Sequence, residues 1–363
     1  MNRRKFMLAA TSLFATAGRA GASGLLLASD PSAHPLDAAW SLWKTAFLSP
    51  EGRVIDTAQG GASHSESQAY GLTLAVALGD AESFSRILAW TQINLGLRQD
   101  SLLAWRWLPD APVRVPDLNN ASDGDLFFAW ALGLAAERFG DDSYARRATE
   151  IAQDLARLCL APWPDGSGRT ALLPAADGYR REGSLIVNLS YAMPLALRQV
   201  AAATGVDALR RAADDAEGAM AQLAAVGTMP DWFALGPSGP EIASEFSDRT
   251  GYEALRVPLF LLWSGNPAHP AVRRHAAALQ AGRAALSGSG IPTVIDRLSG
   301  VTLESSSDPG YAAVAALVDC VAAGGMDGAA IPPFTAGQPY YPATLHLMAL
   351  LAELEGYPGC LPL

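Results

Sequence analysis

The sequence predicts an all-α protein, and three observations carry that expectation. Apolar residues recur at helical spacing along most of the chain, alternating β-branched runs are scarce, and helix-start signals return about every 60 residues. Segments rich in Ala, Leu and Arg fall at 36–48, 66–79, 81–97, 124–139, 143–160, 190–203, 206–226, 251–264, 268–286, 311–323 and 342–355. Candidate caps at Ser65, Ser122, Ser190, Thr250 and Asp308 are separated by 57, 68, 60 and 58 residues. Each opens one helix, and a second helix and a long loop follow. Six such hairpins would close into an (α/α)6 barrel, a six-hairpin toroid whose inner helices aim one set of ends at a shared face. An open solenoid has the same period, and closure alone separates the two. The last unit is short: 33 residues separate Asp308 from Tyr341, where Pro342 suits a first helical position.

Ahead of the first helix the chain reads as an export signal. Asn2-Arg3-Arg4-Lys5-Phe6-Met7-Leu8 is a twin-arginine pattern, an apolar stretch runs from Phe6 to about Ala17, and small residues surround Ala20-Gly21-Ala22. Residues 1–22 are therefore expected to be a signal peptide and 23–363 a single domain, delivered to the periplasm or secreted. No later run approaches the roughly 20 apolar residues of a membrane span. Formal charge is −10, and −14 without the four basic residues of the signal. An acidic chain with scattered bases has no footprint for nucleic acid or anionic lipid. Nine Trp and nine Tyr in an Ala-rich chain suit a neutral, flat-faced substrate such as a sugar. Three cysteines (Cys159, Cys320, Cys360) exclude a disulfide framework and leave room for one bridge of unspecified pairing.

The chemistry sits at the helix starts. In Ser63-His64-Ser65-Glu66-Ser67-Gln68, a Ser three residues ahead of a Gln reads as a capping box, with Ser65 as cap and Gln68 reaching back. That places Glu66 in the first turn, at the helix mouth. Asp123 follows Ser122 in the same relation, with Asp125 at the box position. Glu253 stands three residues after Thr250. Any one of these acids alone is more simply a helix-end stabiliser: Glu253, at the capping-box position, could serve only to hydrogen-bond the Thr250 backbone, or could pair with Arg256. Three acids at three mouths on one repeat spacing point instead to a shared cleft. The long loops at 98–121, 161–183, 227–249 and 287–308 are suited to lining it.

Other chemistries lack their motifs. There is no Gly-x-Ser-x-Gly, no phosphate loop and no Gly-x-Gly-x-x-Gly. His34, His64, His269, His275 and His346 are scattered, with no metal-ligand spacing, so neither metal nor cofactor is expected. Carboxylates remain, and general acid and base catalysis on a glycosidic bond is a natural use for a pair of them.

The motifs come in a recognisable order: Gly52-Arg53-Val54-Ile55-Asp56, Ser65-Glu66-x-Gln68-x-Tyr70-Gly71, Asn119-Asn120-Ala121-Ser122-Asp123-Gly124-Asp125, and Tyr252-Glu253-Ala254-x-Arg256-Val257-Pro258. The chain resembles family-8 glycoside hydrolases, in particular the secreted endoglucanases associated with bacterial cellulose synthesis, over roughly 36–356. Trp105-Arg106-Trp107, Asn188-Leu189-Ser190-Tyr191, Pro230-Asp231-Trp232 and Tyr340-Tyr341 are further echoes. The resemblance implies an (α/α)6 barrel that cleaves β-1,4-glucan of the cellulose type with inversion. It implies Glu66 as general acid, Asp123 as the carboxylate that distorts the sugar and stabilises charge, and Glu253 as general base unless a loop acid serves. Substrate contacts would come from Trp105, Asn120, Tyr191, Trp232, Tyr252, Arg256 and Tyr341. Functional association with a cellulose synthase complex is a further expectation of the resemblance.

Two departures from the family pattern bear on mechanism. Ser67 stands where Gly is usual, and Glu253 replaces Asp, adding about 1.5 Å of reach. A chitosanase or xylanase of the same family, or a glycan-binding protein with weak catalysis, are the alternative readings. Glu66 would be kept protonated by burial near the other acids.

Overall fold

Whether a helix is apolar on one stripe or around its whole circumference decides where it sits. The computed structural model describes residues 34–286 and 288–361, so the expected signal peptide lies outside it. Among the described residues there are eleven α-helices: α1 (Asp37–Phe47), α2 (Ser65–Leu78), α3 (Ala81–Asn94), α4 (Ser122–Phe139), α5 (Asp142–Leu158), α6 (Pro194–Thr204), α7 (Asp207–Val226), α8 (Arg256–Trp263), α9 (Pro270–Ala285), α10 (Pro309–Ala322) and α11 (Tyr340–Gly356). Every residue of α2 except Glu66 is buried, and α8 is buried from end to end. In α3, α5, α7 and α9 burial is confined to one face.

The inner helices touch in the order α2, α4, α6, α8, α10, α11, and α11 returns to α2. The seam is sealed by α1. Trp43 Nε1 donates to Thr344 Oγ1 at 3.0 Å across 301 residues of sequence, and Trp43 and Phe47 both pack on Tyr340. Closure excludes the open solenoid, and the fold is an (α/α)6 barrel. Helices α1, α3, α5, α7 and α9 fill five outer positions. The sixth, between α10 and α11, is crossed by residues 323–339 without a helix, which is where the short last unit leaves too little chain. That segment is tied down by backbone bonds from Gly328 to Gly359 and from Ala329 to Cys360. A Cys320–Cys360 disulfide joins the end of α10 to the turn after α11 beside it, and Cys159 is free and buried.

The two ends of the barrel differ. Inner-to-outer turns are tight and close on glycines in the left-handed region, at Gly79, Gly140 and Gly205 (φ 73–75°). Outer-to-inner connections are long, and the loops expected to be irregular hold short antiparallel strands. β1 (Ser63–His64) pairs with β2 (Arg106–Trp107), and β3 (Leu160–Pro162) with β4 (Thr170–Leu172). β5 (Arg180–Arg181), β6 (Ser184–Val187), β7 (Phe233–Gly236) and β8 (Gly239–Glu241) form one four-stranded sheet. β9 (Ile291–Ile295) pairs with β10 (Thr302–Ser306). β-Branched clusters such as Ile291-Pro292-Thr293-Val294-Ile295 account for the strands.

Helix centres agree with the sequence, whereas most expected caps do not. Asp308 occupies the cap position of α10. Ser65 and Ser122 are already helical; Ser190 lies in a single 3₁₀ turn ahead of α6, and Thr250 lies six residues before α8. α11 starts at Tyr340, two residues before Pro342. Two of the misassigned side chains have distant partners instead: Ser122 Oγ donates to Leu173 O, and Thr250 Oγ1 to Met229 O. Gln68 does not reach back along its helix. Its Oε1 accepts from Val54 N at 2.6 Å, while Nε2 donates to Thr91 Oγ1 at 2.7 Å and Gly52 O at 3.2 Å.

Reduction of the disulfide, or Cys360→Ser, is expected to lower unfolding free energy by about 4 kcal/mol at most, the chain-entropy value for a loop of this length. Denaturant melts with and without reductant check it; no change would mean that the backbone bonds alone hold the segment.

Candidate active site

All six inner helices open towards the long-loop end, and each mouth delivers a side chain to one cavity of about 560 Å³. Glu66 comes from α2, Asp123 from α4, Tyr191 from the turn before α6, Glu253 and Arg256 from the start of α8, Tyr311 from α10 and Tyr341 from α11. Trp105, Tyr252, His64 and Asp56 complete much of the wall.

The guanidinium of Arg256, 1% exposed, joins the acids. Nη1 pairs with Glu66 Oε2, donates to Tyr70 OH at 2.9 Å and lies 3.5 Å from Asp123 Oδ2. Nη2 pairs with Glu253 Oε2 and donates to Ser190 Oγ at 2.8 Å. Two ordinary hydrogen bonds plus the width of a guanidinium put the nearest oxygens of Glu66 and Glu253 within about 8 Å. The pairing of Glu253 with Arg256 therefore coexists with membership of the site. Glu253 Oε2 also accepts from Asn188 Nδ2 at 3.1 Å and Ser190 Oγ at 3.3 Å.

Burial sorts the three carboxyls. Side chains of Glu66 and Glu253 keep 23% and 34% of their surface exposed, whereas Asp123 keeps 1%. Desolvation, then the charge of Glu66, push the Asp123 carboxyl well above the usual range, with Arg256 opposing. The acid whose protonated form burial favours is thus Asp123, whose Oδ1 accepts from Gly124 N at 2.8 Å. Burial likewise holds the Tyr70 and Tyr191 hydroxyls in their neutral form.

Local packing explains the convergence. β1 sets Ser63 opposite Trp107 and His64 opposite Arg106, which lays the Trp105 loop against the mouth of α2. His64 N donates to Ser67 Oγ at 2.9 Å, so the Ser found where Gly is usual closes the first turn beside Glu66. His64 is not a solvated loop side chain: it lines the cavity, stacks on Trp105 at 6.1 Å and has its basicity lowered by burial. α2 and α4 approach at Gly124, where a Cβ would lie 2.3 Å from Ser65 Oγ and 2.7 Å from Glu66 N.

Among the expected substrate contacts, Trp105, Tyr191, Tyr252, Arg256 and Tyr341 line the cavity; Asn120 and Trp232 do not. Asn120 is a buried brace, donating to Asp125 Oδ2 at 2.8 Å and accepting from Ala176 N at 2.7 Å. Trp232 belongs to a separate aromatic cluster with Tyr179 and Phe246, and meets Tyr191 edge-on at 6.1 Å. Tyr70, Asn188, Ser190, Asp56 and Tyr311 are site residues that received no role from the sequence. Asp56, Tyr70, Asn188 and Ser190 stand inside quoted motifs, which was the available signal.

A carboxylate cluster at the mouths of a helical toroid, ringed by aromatic side chains, defines a glycoside hydrolase site. A model of family 8 of the glycosyl hydrolases matches residues 11–355, and the chain belongs to that family. A probable endoglucanase of Novacetimonas hansenii is 33% identical over 335 residues, covering 90% of this chain and 93% of that protein. Two solved structures superpose with a TM-score of 0.76. They are the endo-β-1,4-glucanase CMCax of Acetobacter xylinum (33% identity, 90% of this chain, 99% of that one) and the family-8 endoglucanase Cel10 of Klebsiella pneumoniae (30%, 88%, 99%).

Gly124→Ala is expected to separate α2 from α4, lowering stability by about 1–3 kcal/mol and glycan hydrolysis at least about tenfold. Thermal unfolding and reducing-sugar release on the same preparation check both; loss of stability with full activity would mean that the α2–α4 contact does not set the spacing of Glu66 and Asp123.

Proposed function

We propose that the chain is an inverting endo-β-1,4-glucanase acting on cellulose-type glucan. The observation that carries the reading is the meeting of Glu66 and Glu253 at one guanidinium, across a cavity wide enough for a sugar unit. Joined through one guanidinium, their nearest oxygens stand at most about 8 Å apart, an upper limit that lies inside the range of about 6.5–9.5 Å between carboxyls that inversion uses to hold a water. Relatives that span nearly the whole chain and are named endoglucanases support the glucan over chitosan or xylan.

In this reading Glu66 donates its proton to the glycosidic oxygen as the bond from C1 to that oxygen breaks. Glu253 takes a proton from a water whose oxygen bonds C1 from the opposite face, and the new reducing end carries inverted configuration. Asp123, buried 3.5 Å from Arg256 Nη1, takes the sugar-distorting and charge-stabilising role that the resemblance implies. Arg256 orients both working carboxylates, and Tyr191, Tyr252, Trp105 and Tyr341 hold the ring. The loop acid Asp231 is spent on backbone N–H groups, which favours Glu253 as base.

We also propose that residues 1–22 are an export signal, that 23–363 form the single catalytic domain, and that it works in the periplasm or outside the cell. The disulfide supports an oxidising compartment. Association with a cellulose synthase complex is proposed on the resemblance alone.

Glu66→Gln is expected to lower carboxymethylcellulose hydrolysis by about 100-fold or more, and Glu253→Gln similarly, the scale of a lost acid or base. Glu253→Asp should keep more activity than Glu253→Gln. Proton NMR of early cello-oligosaccharide products should show the α-anomer first. A β-anomer, or a Glu66→Gln enzyme of near-normal rate, would overturn the mechanism, and retained cellulose binding without any release would make this a binding protein.

A further inference from the structure

The turn that carries Glu253 is held from below by a residue outside the cavity. Asp231 is buried in the loop before β7, and its own N–H donates to Arg249 O at 2.7 Å. Its Oδ1 accepts from Gly251 N at 2.9 Å and from Ala254 N at 2.8 Å, so one oxygen grips the backbone on both sides of Glu253. The fit leaves no slack: a Cβ on residue 251 would stand 2.4 Å from Asp231 Oδ2, which makes glycine the residue the position accepts. From the other side, Thr250 exchanges both backbone hydrogen bonds with Ile295 of β9, at 3.0 and 2.8 Å. α8 begins only at Arg256, so residues 251–255 have no helix to hold them before it.

We infer that Asp231 is the positioning residue for the general base, fixing the backbone that aims Glu253 while touching neither substrate nor water. This rests on the reading of Glu253 as base. Two N–H groups that would otherwise be buried without partners converge on Asp231 Oδ1, and this is the means by which an irregular turn becomes as well placed as the helix-borne Glu66. Desolvation raises the Asp231 carboxyl to about 6, while the hydrogen bonds it accepts from the backbone of residues 254 and 251 oppose that rise.

The test is a set of variants assayed for kcat and KM on cello-oligosaccharides, with thermal unfolding recorded on each. Asp231→Asn keeps an acceptor oxygen and should stay within about threefold of the parent kcat. Asp231→Ala should lose about 10- to 100-fold in kcat, the scale of a 1 Å misplacement, with KM changed less than about twofold. Added to Glu253→Gln, it should cost little more, because residues acting through one group are not additive. If Asp231→Ala does not fold, Gly251→Ala breaks the same contact from the opposite side and should show the same split. Unchanged kcat in Asp231→Ala, a loss carried by KM, equal losses in the Asn and Ala variants, or full additivity with Glu253→Gln would overturn the inference. A parent enzyme that releases no reducing ends would instead sink the proposed function.

Discussion

A single guanidinium, out of water and shared among three carboxylates, is the constraint around which the site is arranged. Arg256 is the first residue of α8 and contacts side chains delivered by α2, α4 and the turn before α6. A charge in that position is tolerated only because its neighbours neutralise it, and breaking such a buried set by removing one member typically costs about 3–5 kcal/mol. The planar fork also explains why an arginine fits here and a lysine would not: two nitrogens pointing at fixed angles register two acids at once. Packing brings the helix mouths near each other, and the ion pairs then set the final spacing.

The same arrangement gives the three carboxyls unequal surroundings. Here the deepest acid, Asp123, lies where charge is disfavoured, while Glu66 and Glu253 reach upward into the wetter part of the cavity against Arg256. Glu253, carried on a turn rather than a helix, reaches the Arg256 guanidinium in the cavity wall.

Helix positions were legible because burial leaves a periodic trace: the eleven expected segments each overlap an observed helix, with boundaries moved by a few residues. Although six full hairpins were expected and the twelfth helix is absent among the described residues, the shortness of the last unit was also legible. Capping was not, since a Ser or Thr followed by an acid or amide three residues later describes a local option. Ser122, Gln68 and Thr250 take distant partners instead. Glu66, Asp123 and Glu253 could be found because they share a place in a repeat. Asp231 and Tyr70 have their partners 20 to 186 residues away, and motif membership did not distinguish residues that line the cavity from Asn120, a buried brace, or Trp232, which stands beside it.

The opposite face of the toroid has its own use. Its glycine-closed turns at 79, 140 and 205 are two-residue bends, touch nothing in the groove and mark places where the chain merely reverses. A tether, a fused module or newly joined termini placed there would leave the substrate channel pointing outward, so the molecule is by construction a one-sided tool, able to be mounted on a surface by its back without blinding its front.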